Sequence, residues 1–146
     1  MEVQVKTFQE LSTTELYQIL RLRSEVFVVE QDCVYQDMDN KDQKALHVIG
    51  SKNGTVVAYT RIFKPGDYFD NASIGRVVVA EDQRKFGLGK VIMKASIQAV
   101  EQRFPQSPIE ISAQSYLLRF YSDLGFSAFG AEYLEDGIPH TRMVKK

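Results

Sequence analysis

The chain has 146 residues, of which 44% are hydrophobic and 25% charged, the balance of a globular protein rather than a disordered one. Its 18 basic and 19 acidic residues leave a net charge of -1, which argues against a protein built chiefly to neutralise nucleic-acid phosphates. Cys33 is the sole cysteine, so an internal disulfide is excluded and a cysteine metal cluster has no ligands; no metal is expected.

The opening residues MEVQVKTFQEL lack the apolar core of a signal peptide, and no apolar run approaches the roughly 20 residues that cross a bilayer. No repeat, low-complexity tract or Pro/Gly linker divides the chain. The expectation is one soluble, cytoplasmic domain over residues 1–146 with no membrane partner.

Glu2 to Phe8 alternates Val3, Val5 and Thr7 with polar residues and predicts a short strand. Ser12 or Thr13 then caps a helix carrying Glu15 in its first turn, with Leu16, Ile19, Leu20 and Phe27 at helical spacing. The segment DCVYQDMDNKDQK that follows VFVVEQ reads as irregular and too charged for the core. Leu46 to Ser51 and Thr55 to Phe63 are two strands around the hairpin signal Asn53-Gly54, and Pro65-Gly66 ends the second. Ile74 to Ala80 is an apolar strand. From Gly87 the period changes, and Leu88, Ile92, Ala95 and Ala99 share one helix face. Pro105 and Pro108 bracket its exit. Ile109 to Ala113 is a strand, Tyr116 to Leu124 a helix closed by Gly125, and two last strands, Ser127 to Leu134 and His140 to Lys145, flank DGIP. This order implies a mixed sheet of the α/β or α+β class.

The stretch VVVAEDQRKFGLGK, Val77 to Lys90, sets Arg84, Lys85, two glycines and Lys90 where a strand passes into a helix. A P-loop would need four residues between its glycines and Ser or Thr after the lysine; here one residue separates Gly87 from Gly89, and Val91 follows Lys90. A dinucleotide fingerprint would need a third glycine where Ile92 stands. What remains is R-x-x-G-x-G, formed by Arg84, Gly87 and Gly89. A helix N-terminus presents unpaired N–H groups and about half a positive charge. Glycines let a diphosphate approach that backbone, and the basic side chains add attraction. The alternative is a plain helix start with solvated lysines.

A second stretch, AQSYLLRFYSDLGF from Ala113 to Phe126, runs from a strand end through a helix to Gly125-Phe126. In this order the two stretches resemble the GCN5-related N-acetyltransferase (GNAT) superfamily. VFVVEQ with the acidic residues after it, and EDGIPH from Glu135 to His140, resemble its ElaA-like branch. The resemblance covers nearly the whole chain and implies a mixed central sheet of about six to seven strands with about four flanking helices. It implies acetyl-CoA as co-substrate and a small-molecule or peptide amine as acceptor, with no nucleic-acid partner, and it admits a homodimer.

Carried onto these residues, the resemblance makes Val77, Val78 and Val79 a splayed strand whose backbone binds the pantetheine arm and supplies an oxyanion donor. Arg84, Lys85, Phe86, Gly87, Leu88 and Gly89 match the diphosphate loop, and Lys90 follows it. Tyr121 matches the tyrosine that protonates the departing thiolate; packing on the apolar face with Leu117 and Leu124 is its bland alternative. Two departures stand out. Gln114 occupies the place of the usual asparagine, and Ile74-Gly75-Arg76 carries no carboxylate where many relatives have a basic glutamate. Neutralising an amine of pKa near 10.4 costs about 4.6 kcal/mol at pH 7, so some residue must take that proton. Glu30, His140 and Glu110 are the candidates, each with a structural hydrogen bond as its alternative. The remaining carboxylates Asp32, Asp37, Asp39, Asp42, Glu132, Glu135 and Asp136 read as solvated surface, or as attraction for a cationic amine where they line a cleft. Cys33 lacks an activating base in sequence, and His47, on a strand beside Leu46 and Val48, reads as structural. A catalytically inactive acyl-CoA-binding or partner-binding module stays open as the alternative.

Overall fold

The computed structural model describes all residues 1–146. In chain order its elements are β1 (Glu2–Thr7), α1 (Thr13–Arg23), β2 (Leu46–Lys52), β3 (Thr55–Phe63), β4 (Ala72–Val79), α2 (Leu88–Arg103), β5 (Ile109–Gln114), α3 (Leu118–Ser122), β6 (Ser127–Glu135) and β7 (Ile138–Lys145). The seven strands form one sheet in the order β1-β2-β3-β4-β5-β7-β6. Only β4 and β5 run parallel, so the sheet is mixed, as the order of elements predicts.

Local chemistry accounts for the boundaries. Ser12 Oγ accepts from the Glu15 N–H at 3.0 Å while Glu15 Oε1 accepts from the Ser12 N–H at 2.8 Å, a reciprocal cap that starts α1. Two hairpins turn on residue pairs with positive φ, Asn53 (51°) with Gly54 (78°) and Asp136 (52°) with Gly137 (76°). Past Arg23, α1 continues as a wider π-helical segment, Ser24–Glu30. The helix expected from Tyr116 to Leu124 is shorter: Ser115–Leu117 forms a 3-10 turn before α3. Ser115 is bonded to the Thr141 hydroxyl at 2.9 Å, which ties that first turn to β7.

The sheet is covered on both faces. On one, Ile92, Met93, Ile97 and Val100 of α2 meet Val48, Ala58, Ile62, Ile74, Ile111 and Met143. On the other, Ile19, Leu22, Val26 and Phe27 meet Ile49, Val56, Tyr59 and Val78. Each such aliphatic side chain contributes roughly 1.5–3 kcal/mol by leaving water. Because β3 is buried from both sides, it reads as a nearly continuous apolar run rather than an alternating one.

One expectation is overturned. The irregular acidic segment after VFVVEQ enters the interior, because three arginines wait there for its carboxylates. Arg23 is fully buried and donates to Asp37 (2.8 Å) and Asp42 (2.9 Å). Arg61 is 1% exposed and donates to Asp39 (2.7 and 2.8 Å) and Asp42 (2.8 Å). Arg76 donates to Asp37 at 2.7 Å and to its main-chain oxygen at 2.9 Å. Buried ions persist only when paired and hydrogen-bonded, and the planar guanidinium fork serves several carboxylates at once. Asp37, Asp39 and Asp42 are therefore spent on arginines and do not form a solvated acidic surface. His47 has the structural role expected of it: Nε2–H donates to the Asp42 main-chain oxygen at 2.9 Å, so Nδ1 accepts from the Tyr59 hydroxyl at 2.6 Å.

Candidate active site

β4 and β5 pair at two positions only, Ala72 with Ile109 and Ser73 with Glu110, and then separate. The cause lies on the opposite edge of β4. There Val78 pairs with Tyr59 and Gly75 with Arg61, so Arg76 and Val77 together face Thr60. This bulge puts Arg76 at φ 50° and sharpens the local twist, which carries β4 away from β5. From Ile74 onward no strand pairs with β4 on its β5 side, and a cleft of about 610 Å³ opens there.

The cleft passes through the sheet. Ile111 and Ala113 of β5 pack on the α2 face, so Ser112 and Gln114 point to the α1 face by strand alternation. Gly87 and Gly89 at the start of α2 stand at one end, and the β6–β7 hairpin stands over the other.

Val77, Val78, Val79, Arg84, Gly87, Gly89, Lys90, Gln114, Tyr121, Glu30 and His140 all line this cleft. Gly87 adopts φ 69°, which glycine enters without the steric cost of a Cβ. A Cβ on Gly89 would come to 3.6 Å from the Phe120 ring and 3.9 Å from Val79, filling the space beside the first turn of α2. The leading N–H groups of that helix have no intrahelical acceptor. The side chains of Lys85, Phe86 and Leu88 depart from the expectation and lie outside the cleft lining. The 3-10 turn Glu81–Phe86 sends Lys85 and Phe86 to the surface, where Lys52 Nζ sits 4.0 Å above the Phe86 ring, and Leu88 turns inward as the first buried residue of α2. Their main chain is what remains available to a ligand.

Two predicted residues engage each other. Arg84 grips Glu30 through both terminal nitrogens, at 2.5 and 2.7 Å, and its Nε donates to the Val79 oxygen at 3.3 Å. The hydrogen bond from Arg84 holds the Glu30 carboxyl below the usual range, which makes it a weak proton acceptor. Glu110 is corrected as well: it is buried outside the cleft lining, where Arg142 and Asn71 hold it.

Tyr121 is 6% exposed and meets Phe120 and Phe126 edge-to-face, with ring centroids 5.1 and 6.1 Å away. Burial pushes its phenol pKa up, so it stays protonated throughout the neutral range. His140 is also 6% exposed. Its Nδ1–H donates to the Ile138 oxygen at 2.7 Å, while Nε2 lies 3.4 Å from Glu135 Oε2. Glu135 Oε1 in turn accepts from the Ser112 hydroxyl at 3.2 Å, and Ser112 is bonded to the Tyr133 hydroxyl. Gln114 and Gln31 exchange amide hydrogen bonds at 3.4 Å. Cys33 Sγ donates to the Asp136 main-chain oxygen at 3.1 Å, the bond of a neutral thiol.

A family model describing an acetyltransferase (GNAT) domain matches residues 5–146. The chain belongs to the GNAT acetyltransferase family. It is 41% identical over 139 residues to protein ElaA of Escherichia coli (strain K12), covering 94% of this chain and 91% of that one. The crystal structure of an acyl-CoA N-acyltransferase from Pseudomonas aeruginosa superposes with a TM-score of 0.94 at 37% identity, covering 100% of both chains. That of Escherichia coli ElaA gives 0.93 at 39% identity, with 99% of each chain covered. These likenesses put the chain in the ElaA-like branch and make it an acyltransferase with acyl-CoA as co-substrate. The seven-stranded mixed sheet with its flanking helices is the fold that the sequence resemblance implies.

No helix of this GNAT protein is long and apolar enough to cross a membrane, and no group of three His, Cys, Asp or Glu side chains is placed to hold a metal ion. Sequence reasoning missed the arginine–aspartate network, although an arginine inside the apolar run of β3 was a signal for buried partners. It read Glu135 as either a surface acid or a cleft acid and did not pair it with His140. The spacing in EDGIPH, two acid–base residues astride a two-residue turn, was the available clue to that pair.

Proposed function

We propose that the chain is one N-acetyltransferase domain over residues 1–146 that moves an acetyl group from acetyl-CoA directly to a primary amine. The observation that carries this reading is the separation of β4 from β5 beside the glycine-rich start of α2. The Val77–Val79 edge lacks a strand partner there, so its amides are free for the pantetheine arm and for the thioester oxygen. The leading amides of α2, opened by Gly87 and Gly89, take the diphosphate, with Lys90 beside them. Arg84 keeps its pair with Glu30 and braces the loop through its bond to the Val79 oxygen.

Of the three candidate bases, His140 is the one this geometry favours. Glu30 is neutralised by Arg84, and Glu110 lies off the cleft. The Nδ1 bond to Ile138 fixes the tautomer and leaves the Nε2 lone pair as the acceptor. An ammonium gives one proton to Nε2, and the freed lone pair attacks the thioester carbon. The carbonyl electron pair moves onto oxygen, held by a β4 amide. The oxygen's pair then re-forms the carbonyl as the C–S bond breaks, and the bond's electrons leave with sulfur, which takes the Tyr121 proton. The second nitrogen proton restores the phenol, and His140 releases its own to solvent, so one proton is produced per turnover. A direct attack needs no acyl-enzyme, in keeping with the thiol of Cys33 being occupied by a carbonyl.

The test is release of free thiol from acetyl-CoA in the presence of a panel of primary amines. Amine-dependent release at a rate well above hydrolysis is expected. Tight acetyl-CoA binding with no amine-dependent release would leave a binding module in its place.

A further inference from the structure

We infer that Glu135 is the docking residue for the acceptor, and that it selects amines presented as a positively charged primary ammonium. This rests on the transferase reading above and adds the chemistry of its second substrate.

The first argument is an accounting of charge along the cleft. Its lining carries Arg61, Arg76, Arg84 and Lys90 against Glu30, Glu135 and Asp136. Arg61 and Arg76, with Arg23 behind them, are matched by Asp37, Asp39 and Asp42. Arg84 is matched by Glu30. What is left is polarised: Lys90 at the start of α2, and Glu135 with Asp136 at the β6–β7 turn. The anionic substrate belongs at the first end, and the second end is left with uncompensated negative charge.

The second argument is geometric and independent of that balance. Because Nδ1–H of His140 is committed to the Ile138 oxygen, neutral His140 turns a lone pair toward Glu135 Oε2, 3.4 Å away. Two acceptors facing each other at that separation are joined by a proton, which the imidazolium carries itself or a bound ammonium brings. A primary ammonium supplies three N–H donors, enough for Nε2 and the carboxylate together with one to spare. Glu135 is set for this by its second oxygen, which accepts from Ser112, itself bonded to Tyr133. His140 is buried while the Glu135 side chain keeps 39% exposure, so the carboxylate meets an incoming cation first. The pair lies on the α1 face of the sheet, opposite α2, which lets the acceptor approach from the side the diphosphate does not use.

The experiment is steady-state kinetics of the wild type, Glu135→Gln and Glu135→Asp, with simple primary alkylamines that are cationic at pH 7. In Glu135→Gln we expect the alkylamine KM to rise by about tenfold or more, with the acetyl-CoA KM unchanged. Glu135→Asp keeps the charge and recovers part of that loss. The wild type should also prefer alkylamines to an aromatic amine, which is neutral at this pH. An unchanged alkylamine KM overturns the inference, as does a loss confined to kcat, which would make Glu135 a mere support for His140. Equal preference of the wild type for neutral and cationic amines overturns it too. In each of those cases wild-type turnover stands and the transferase reading survives. A wild type that releases no thiol with any amine defeats both.

Discussion

Replacing Asp42 by asparagine should cost more stability than any change on the exposed helix faces. Its carboxylate accepts from two buried guanidiniums, Arg23 at 2.9 Å and Arg61 at 2.8 Å. An amide keeps the size and one acceptor but not the charge, so three arginines would face two aspartates in the interior. Removing one partner of a buried pair typically costs about 3–5 kcal/mol. For a chain of this length, at about 2–4 °C per kcal/mol, the melting temperature should fall by about 6–20 °C. The main-chain oxygen that holds His47 is untouched, so the loss reports the carboxylate alone. Urea unfolding followed by circular dichroism measures it, with an unchanged m-value as the sign that only stability moved. Glu25→Gln is the internal control: its pair with Arg21 is exposed and within one helix, worth about 0.5 kcal/mol or less. If Asp42→Asn costs under about 1 kcal/mol, the network is screened by water and the argument for a segment held in place by buried charge is wrong.

Tyr121→Phe should lower kcat by about 10²–10⁴-fold, the range of a lost general acid, while the acetyl-CoA dissociation constant barely changes; equal turnover of the two proteins would remove the phenol from the mechanism. On acidification the fold should weaken in two stages. Burial lowers the pKa of His47, so folding favours its neutral form; that stabilisation is present above about pH 6.5 and declines below it as the unfolded chain takes up the proton. Asp39, held at about 2 by Arg61 against its burial, stabilises above its ordinary value of 3.8 and loses that contribution between there and about pH 2. A urea midpoint that stays flat from pH 7 to pH 5 would contradict the first stage.

Periodicity and turn chemistry determined most of the architecture on their own. The capping residues at Ser12 and Glu15, the positive-φ pairs at Asn53-Gly54 and Asp136-Gly137, and the shift to helical spacing at Gly87 act between near neighbours, and near neighbours are what a sequence displays. The glycine loop stood out because two glycines among three basic residues are unusual where a strand enters a helix, whereas Tyr121 was marked only by the resemblance to the family. Pairing across the fold was a different matter. Arg84 lies 54 residues from Glu30, and Arg23 and Arg61 reach Asp42 over 19. Whether a carboxylate attracts a substrate or is already spent depends on which cation the chain brings beside it. Coulomb energy follows distance in space, so only the folded molecule could turn the row of acids after VFVVEQ into a neutral buried network and leave Glu135 facing His140 in the cleft.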